Sequence, residues 1–289
     1  MIGPARRPLP PLGAVLHIGA GRGGDLGAYL RAGARAVTLV EPAPEAREAL
    51  ETAAADADIP VEPVAAAVSA ADRPAPLRRF GFPGLASLRT PTGLRDLYPG
   101  LSDPEEIAVE TRHPADLAAA LLAAPDLPDQ AVNLLVVEAP GEGQAVLAAL
   151  DEADLLRRFA WIAVQDGAES LYEGQPPLEQ TLRWLRDRDY EVALDAGSDP
   201  DRPHLQAFRD PRLAALRAER DAEKTRAETA ETRLAAVQDE RDSDRARAET
   251  AAAAAAQLQD ELALGRAELQ KAQAQLDLVC RLLLKGPDL

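Results

Sequence analysis

The sequence predicts an α/β fold, a doubly wound and mostly parallel sheet, followed by a long α-helical coiled coil. Short apolar runs alternate with helical segments from Leu12 to about Asp210. The runs are almost continuously apolar, which is typical of strands that helices cover on both faces. After Pro211 the pattern changes. Up to Gly286 the chain contains no further proline and only one glycine, Gly265. An α/β domain followed by a helical domain is the simplest organisation that fits these observations.

The domain limits follow from this change of pattern. We expect an N-terminal tail over residues 1–11 and an α/β domain over residues 12–210. The coiled coil then covers residues 211–285, and residues 286–289 form a C-terminal tail. A chain of 289 residues is long enough for this organisation.

The individual elements are predicted from the apolar runs and the helical spacing. The strands are Ala14–Ile18, Ala36–Glu41, Val61–Ala66, Ile107–Thr111, Val132–Glu138, Ala160–Gln165, Glu191–Leu194 and Leu205–Phe208. The helices include Leu26–Ala32, Pro44–Ala55, Pro114–Ala123, Gly143–Leu150 and Leu178–Asp189. Shorter connections make the later strands candidates for an antiparallel edge. Segment Pro74–Asp103 is too long for an ordinary connection, and it is either a loop that covers the site or an irregular surface excursion.

Composition excludes several classes of partner. The formal net charge of −16 argues against nucleic acid and against an anionic membrane surface. The sequence contains no run of 18 apolar residues, so no transmembrane helix is predicted. The N-terminal arginines are followed by prolines instead of the apolar core of a signal peptide. We therefore expect a cytoplasmic protein. Cys280 is the single cysteine and the three histidines are scattered, so neither an internal disulfide nor a metal site is predicted.

A glycine loop between two apolar strands is the most informative motif. Gly19, Gly21 and Gly24 follow the first strand with the spacing G-x-G-x-x-G, and Glu41 ends the second strand 22 residues after Gly19. Glycines allow a ligand to approach the backbone closely, and an acid at this place can accept hydrogen bonds from ribose hydroxyls. The motif predicts a site for an adenosine-containing cofactor, although a turn that binds nothing has the same glycines.

Four motifs in order resemble the FkbM-type methyltransferases, which depend on S-adenosylmethionine. The family's Asp-x-Gly-Ala-Asn-x-Gly corresponds to residues 17–23, and its acid-Pro pair corresponds to Glu41-Pro42. Its Ala-x-Ser corresponds to residues 67–69, and its Asp-x-Glu-Gly-x-Glu to residues 138–143. The resemblance implies a Rossmann-like class I fold and favours S-adenosylmethionine over a dinucleotide. It implies O-methylation of a sugar or small natural product, with cofactor contacts from Gly19, Ala20, Gly21, Gly23 and Glu41.

The chain departs from the family pattern at several acids. His17 stands where the family has an acid that helps hold the methionine end of the cofactor, and Pro140 replaces a glutamate. Gly143 takes the place of the last glutamate, although Glu142 lies next to it, and Glu138 conservatively replaces an aspartate. Glu138 and Glu142 are the candidate catalytic bases. The departures leave a second hypothesis open, a catalytically silent scaffold, and a third, a dinucleotide-dependent oxidoreductase.

The C-terminal segment carries an internal repeat that keeps coiled-coil phase. Residues 212–230 recur at 233–251 with 12 of 19 positions identical, an offset of 21 residues or three heptads. One frame places Leu213, Arg220, Ala227, Leu234, Arg241, Ala248, Ala255, Leu262, Leu269, Leu276 and Leu283 at a. It places Leu216, Glu223, Ala230, Val237, Asp244, Ala251, Leu258, Gly265, Ala272 and Val279 at d. We expect this segment to form a homo-oligomer or to bind a coiled-coil partner, and a solitary charged helix is the alternative. The acceptor expected for the α/β domain is a small molecule or a glycan. The pattern leaves stoichiometry and orientation open.

Overall fold

The computed structural model describes residues 11–71, 75–82, 84–125, 127 and 131–284. It divides into two compact units, Met1–Ala215 and Leu216–Leu289. The first unit contains all the strands and the short helices of the described chain, and the second consists of the long C-terminal helix. No helix of the described residues is long and apolar enough to cross a membrane.

The first unit has the alternating order of strands and helices that the sequence predicts. The strands are β1 (Leu12–Ile18), β2 (Ala36–Val40), β3 (Val61–Val64), β4 (Ala67–Val68), β5 (Leu77–Arg79), β6 (Glu105–Ile107), β7 (Thr111–Arg112), β8 (Val132–Val137), β9 (Trp161–Gln165), β10 (Glu191–Leu194) and β11 (His204–Phe208). The helices are α1 (Leu26–Arg31), α2 (Arg47–Ala55), α3 (Leu94–Leu97), α4 (Pro114–Leu122), α5 (Gly143–Glu152), α6 (Leu178–Arg186) and α7 (Pro211–Leu284). Single 3-10 turns cover Pro44–Ala46 and Leu156–Arg158.

Seven strands form one sheet in the order β10-β11-β9-β8-β1-β2-β3. Five neighbouring strands run parallel to one another: β9, β8, β1, β2 and β3. Strand β11 runs antiparallel to both of its neighbours, β9 and β10. The predicted fold class is therefore confirmed: the sheet is Rossmann-like, doubly wound and mostly parallel, and a long helix follows it. The antiparallel edge expected for the last strands is also present.

Helices cover both faces of the sheet, which explains the continuously apolar strands. Along β1, Leu16 and Ile18 pack in a cluster with residues of α4, α5 and α6. Val15, directly before Leu16 in sequence, packs in a second cluster with residues of α1 and α2. Side chains alternate between the two faces of a strand, so β1 needs apolar residues at both sets of positions.

The predicted strand Ile107–Thr111 is wrong as a continuous element. Ile107 ends β6, which pairs antiparallel with β5, and Thr111 begins β7, which pairs parallel with β4. Ile107 and Val109 pack against a small cluster around Leu77 and Leu88, away from the main sheet. Their apolar character therefore reflects a local core within a long connection. The predicted strand at Val61 likewise ends at Val64, before the chain turns into β4.

The strand order places a crevice at the end of β1. The chain leaves β1 toward β2 on one side, while β8 pairs with β1 on the other side. Ligands of doubly wound sheets bind where the strand order reverses, at the carboxyl ends of the strands. The glycine loop after β1, Glu41 after β2 and Glu138 after β8 all lie at this edge.

The second unit confirms the long helix. α7 contains 74 residues and continues through Gly265, so it spans roughly 110 Å at about 1.5 Å per residue. The apolar side chains at a and d that the structure describes are exposed in the single chain, for example Leu262 and Leu269. Lys285, the last residue of the predicted coiled coil, and the predicted C-terminal tail lie outside the described residues, as does most of the predicted N-terminal tail.

Replacing Leu147 by Ala should lower the free energy of unfolding of the first unit by about 2–5 kcal/mol. Leu147 is fully buried on α5 within the larger core cluster, so the substitution removes apolar contacts and leaves a cavity. Urea denaturation followed by the fluorescence of Trp161 and Trp184 reports on this unit. Leu194→Ala, at a leucine that is 49 % exposed, is the matched control and should change the midpoint little.

Candidate functional site

The glycine loop reaches the end of β8 because its first glycine has no side chain. Gly19 has φ of +84°, and a Cβ at this position would lie 2.3 Å from the carbonyl oxygen of Glu138. Any other residue would push the loop away from β8. Gly21, with φ of +52°, has open space where a side chain would stand, so its backbone faces the crevice. These contacts explain the loop's first two glycines.

Backbone amides of the loop are already used within the protein. The N–H groups of Gly19 and Ala20 both donate to the carbonyl oxygen of Val40, at 2.8 and 3.0 Å. The N–H of Gly23 donates to Ala20, and that of Gly21 donates to the carboxylate of Glu41. These four N–H groups are therefore not available to a ligand, which would contact the loop mainly through van der Waals contacts with its backbone. The helix that follows, α1, has six residues.

Glu41 is held rigidly at the end of β2. Its Oε2 accepts the N–H of Gly21 and its Oε1 accepts the N–H of Ala43, both at 2.9 Å. An ionised carboxylate offers about four lone-pair positions, so each oxygen can accept a further hydrogen bond from a ligand. The two backbone donors fix the orientation of the carboxylate before any ligand binds.

These groups line a cavity of about 880 Å³. Gly19, Gly21, Glu41, Glu138 and Glu142 all contribute to its wall, so the structure brings most of the predicted site residues together. Two predicted cofactor residues face elsewhere. Ala20 packs in the core cluster beside α1, and a side chain at Gly23 would lie 3.1 Å from Leu50 of α2.

The long connection after β3 forms part of the cavity wall. Phe80, Phe82, Leu88 and Asp103 line the cavity opposite the strand ends. The hydroxyl of Ser87 donates to the carbonyl oxygen of Pro140 at 2.7 Å, which ties the connection to the loop after β8. Of the two interpretations of this segment, the covering loop fits the structure, and its Pro74 and Pro83 lie outside the described residues.

Glu138 is the acid with an open carboxylate. It lines the cavity at the end of β8, and its side chain is 33 % exposed. The buried imidazole of His17 lies behind it, with Nε2 3.9 Å from Oε2, and lowers the pKa of the Glu138 carboxyl while burial opposes this effect. Nδ1 of His17 is 3.0 Å from the hydroxyl of Tyr29, which is the local hydrogen bond expected for a histidine at a strand end. Glu138 is thus ionised at neutral pH.

Glu142 has a different environment. Arg89 contacts both of its oxygens, with Nε 2.8 Å from Oε1 and Nη2 3.2 Å from Oε2. Burial raises the pKa of the Glu142 carboxyl, and Arg89 counteracts part of this shift. Because a bidentate ion pair occupies the carboxylate, Glu142 is less available to a ligand than Glu138.

Asp166 is a buried acid behind the cavity wall that the sequence analysis did not single out. It follows β9 directly and is 6 % exposed. Its Oδ1 accepts the N–H groups of Gly141 and Gly167, at 3.2 and 3.0 Å, and the side-chain amide of Gln175 at 2.6 Å. Burial raises its pKa to about 6. An acid and a glycine directly after a buried strand were the available signal. Asp166 positions the loop that carries Glu138 and Glu142.

No protein-family model matches the chain, and no curated protein matches it. Solved structures with a similar fold include methyltransferase FkbM from Methylobacillus flagellatus, at 15 % identity and a TM-score of 0.38 over 72 % of this chain and 46 % of that chain. An rRNA methylase from Streptococcus thermophilus has 11 % identity and a TM-score of 0.36 over 70 % of this chain and 89 % of that chain. A conserved hypothetical protein from Streptococcus pyogenes has 12 % identity and a TM-score of 0.35 over 69 % and 88 %. The chain spans less than half the length of the FkbM structure.

Asp166 should make the first unit less stable as the pH rises. Its folded pKa of about 6 exceeds the ordinary value of 3.8, so the folded chain binds this proton more tightly than the unfolded chain. The resulting stabilisation is present below pH 4 and is lost between about pH 4 and 6, a change of roughly 3 kcal/mol. Asp166→Asn should remove this part of the pH dependence in urea denaturation. Asp58→Asn, at an exposed aspartate, should leave it unchanged.

Proposed function

We propose that the chain is an S-adenosylmethionine-dependent methyltransferase of the FkbM type. The observation that carries the proposal is the carboxylate of Glu41, fixed by two backbone donors beside the glycine loop and open to the cavity. An acid at this place accepts hydrogen bonds from the two hydroxyls of a ribose. The sequence resemblance at four successive motifs supports the same cofactor.

The cavity residues fit an adenosine group. Glu41 would hold the ribose, and the open backbone at Gly21 would let the cofactor lie against the loop. Val40, Ala67 and Val68 line the same cavity and offer apolar contacts to a base. About 880 Å³ lies in the upper part of the range for small-molecule sites, so it is large enough for a cofactor together with a small acceptor.

Hydrogen bonding in the loop argues against a dinucleotide. A pyrophosphate at a glycine loop depends on backbone N–H donors and on the first turn of a helix. Here the N–H groups of Gly19, Ala20 and Gly21 are bound to Val40 and Glu41. A cofactor without phosphate groups does not need them. This supports S-adenosylmethionine over the oxidoreductase alternative.

Glu138 is the proposed general base. S-adenosylmethionine supplies an electrophilic methyl group when bound. Glu138 accepts the proton of the attacking acceptor hydroxyl, since its carboxylate is ionised and faces the cavity. His17, behind it, keeps the carboxylate in the charged form. Arg89 holds Glu142, and Asp166 fixes the loop that carries both acids. By resemblance, the acceptor is a sugar or a small natural product. The heptad pattern of α7 supports a helix that oligomerises or docks the enzyme.

A catalytically silent scaffold is the second candidate, and two features of the structure favour it. A Cβ at Gly143 would lie 2.7 Å from Oδ2 of Asp166, so the glutamate of the family pattern has no room here. The bidentate pair with Arg89 also removes Glu142 from chemistry. Titration with S-adenosylmethionine and S-adenosylhomocysteine separates the two candidates. Micromolar binding supports the enzyme, and no binding at millimolar ligand supports the scaffold.

Glu41→Gln should weaken S-adenosylmethionine binding by at least roughly tenfold, as measured by isothermal titration. A glutamine has one acceptor oxygen, so its amide nitrogen would face the N–H of Gly21 or of Ala43, and an acceptor for the ribose would be lost. Glu45→Gln is the matched control, because Glu45 lines the same cavity but pairs with Arg79. Unchanged affinity in Glu41→Gln would rule out the ribose contact.

Glu138→Gln should lower the rate of methyl transfer by roughly 10²–10³-fold while leaving cofactor affinity within about threefold. The amide cannot accept the acceptor's proton. The assay measures S-adenosylhomocysteine formation with a panel of monosaccharides and hydroxylated aromatic compounds. Glu142→Gln, which removes the negative charge and one of the two acceptors for Arg89, should mainly reduce stability. A full rate in Glu138→Gln would show that another group takes the proton.

A further inference from the structure

The described part of α7 presents one uninterrupted heptad frame with an unpartnered apolar stripe. The helix passes through Gly265 without a break, so the residues before and after it keep the same phase. Leu258, Leu262, Leu269 and Leu276 are each about 60 % exposed in the single chain. A stripe of this kind requires a partner helix.

We propose that the partner is a second copy of this chain, aligned parallel and in register along α7. This inference deepens the association that is part of the proposed function, and it does not depend on methyl transfer. Three features of the helix carry it: the charges that flank the stripe, the contacts of the charges within the stripe, and the position of the leucines.

The flanking charges match in a parallel pair. In this arrangement the g residue of one helix meets the e residue five positions later on its partner. Four of the resulting pairs join two charges of opposite sign: Glu219 with Lys224, Arg226 with Glu231, Glu240 with Arg245, and Glu261 with Arg266. By sequence, one pair has like charges, Arg212 with Arg217, in the first turns of the helix. The pairs extend over most of the helix.

Three of the four charges inside the stripe, Arg220, Arg241 and Asp244, have partners on their own helix. Arg220 and Arg241 occupy a positions, and a parallel pair brings each close to its own copy. Each guanidinium bonds the next residue through Nε and Nη2, Asp221 at 2.9 and 2.7 Å and Asp242 at 3.0 and 2.7 Å. These aspartates are at b, outside the seam, so they draw the arginine heads away from the partner helix.

The acid at d in the second repeat is also compensated. Asp244 lies 3.2 Å from the guanidinium of Arg247 on the same helix. Own-helix pairs of this kind reduce the repulsion between identical charges across the seam. The polar layers then weaken the pair without excluding it.

No antiparallel alignment both pairs the seam charges with opposite charges and buries the leucines. An antiparallel pair that matches Arg220 with Asp244 and Arg241 with Glu223 is centred on Thr232 and leaves the leucines after 254 beyond the overlap. One that matches those leucines, for example Leu269 with Ala272, is centred near 270 and leaves the charged repeats unpaired. An antiparallel pair centred at 246 overlaps most of the helix, but it sets Arg220 against Ala272 and Glu223 against Leu269. It also brings the flanking Arg245 and Arg247 close to their own copies. The parallel in-register pair aligns leucine with leucine and flanks the seam with opposite charges.

The width of the stripe favours two helices. Between Leu216 and Arg281 the e and g positions hold charged residues, Gln, Ala and the single Cys280, and no large apolar side chain. A stripe limited to a and d forms the narrow seam of a two-stranded coil, whereas bundles of more helices bury apolar residues at e or g as well.

Single cysteines in the full-length chain test the alignment. Cys280 is first replaced by Ala, and Ala272→Cys is then introduced at d, where a parallel in-register pair brings the two copies together. Under mild oxidation this variant should form a covalent dimer nearly completely. Ala274→Cys, at the outer f position, is the matched control and should cross-link at least tenfold less. Light scattering of the parent chain should give twice its mass of 30.7 kDa.

Each other outcome overturns the proposal in a distinct way. A monomer in light scattering removes the association itself, and a trimer or larger particle removes the two-helix pair. A dimer in which Ala272→Cys stays reduced, but cross-links when mixed with Leu269→Cys, is antiparallel. Cofactor titration is independent of all these results, so failure of the coil and failure of the methyltransferase assignment are distinguishable.

A charge swap gives a second test without cysteines. Glu261 and Arg266 are five residues apart, so they do not face each other on one helix. Glu261→Arg or Arg266→Glu alone should raise the dimer dissociation constant by roughly fivefold, because each creates two like-charge contacts. The double variant should return it to within about twofold of the parent. Additive losses in the double variant would contradict the parallel alignment.

Discussion

The hydrogen bonds that join the glycine loop to the end of β2 determine the geometry of the cavity. Gly19 and Ala20 donate to Val40, and Gly21 donates to the carboxylate of Glu41. The close approach of Gly19 to Glu138 then brings β8 to the same point. Three strand ends are therefore joined before any ligand binds. The same contacts occupy the N–H groups of Gly19, Ala20 and Gly21, so these three groups are not free to bind a phosphate.

Three carboxylates near this edge differ in their surroundings and so in their chemistry. Glu138 is partly exposed beside His17, which keeps it ionised. Glu142 is buried against Arg89 and acts as one half of an ion pair. Asp166 is buried among backbone donors and Gln175, and its pKa rises to about 6. All three side chains are carboxylates, so burial and the nearest partner decide which acid is open to the cavity and which two hold the loop.

The two units are stabilised by different means. The first unit buries apolar residues on both faces of a sheet, with fully buried leucines such as Leu135 and Leu147. The second unit has no such core in the single chain, and its helix depends on alanine-rich propensity and own-helix ion pairs such as Arg245 with Glu249. A parallel partner would convert its exposed leucines into a buried seam and would leave these ion pairs at the surface.

The sequence by itself determined the fold class, the long helix, and the grouping of Gly19, Glu41 and Glu138 at one edge of the sheet. These follow from local patterns: apolar runs, glycine spacing, and acids directly after strands. Tertiary structure alone decided that Arg89 binds Glu142, that Asp166 holds the loop after β8, and that Ile107 belongs to a small separate core. Arg89 and Glu142, Asp166 and Gly141, and Ile107 and Leu77 are pairs of residues far apart in the chain. Side-chain spacing within one element contains no information about such contacts, because they depend on how distant elements pack.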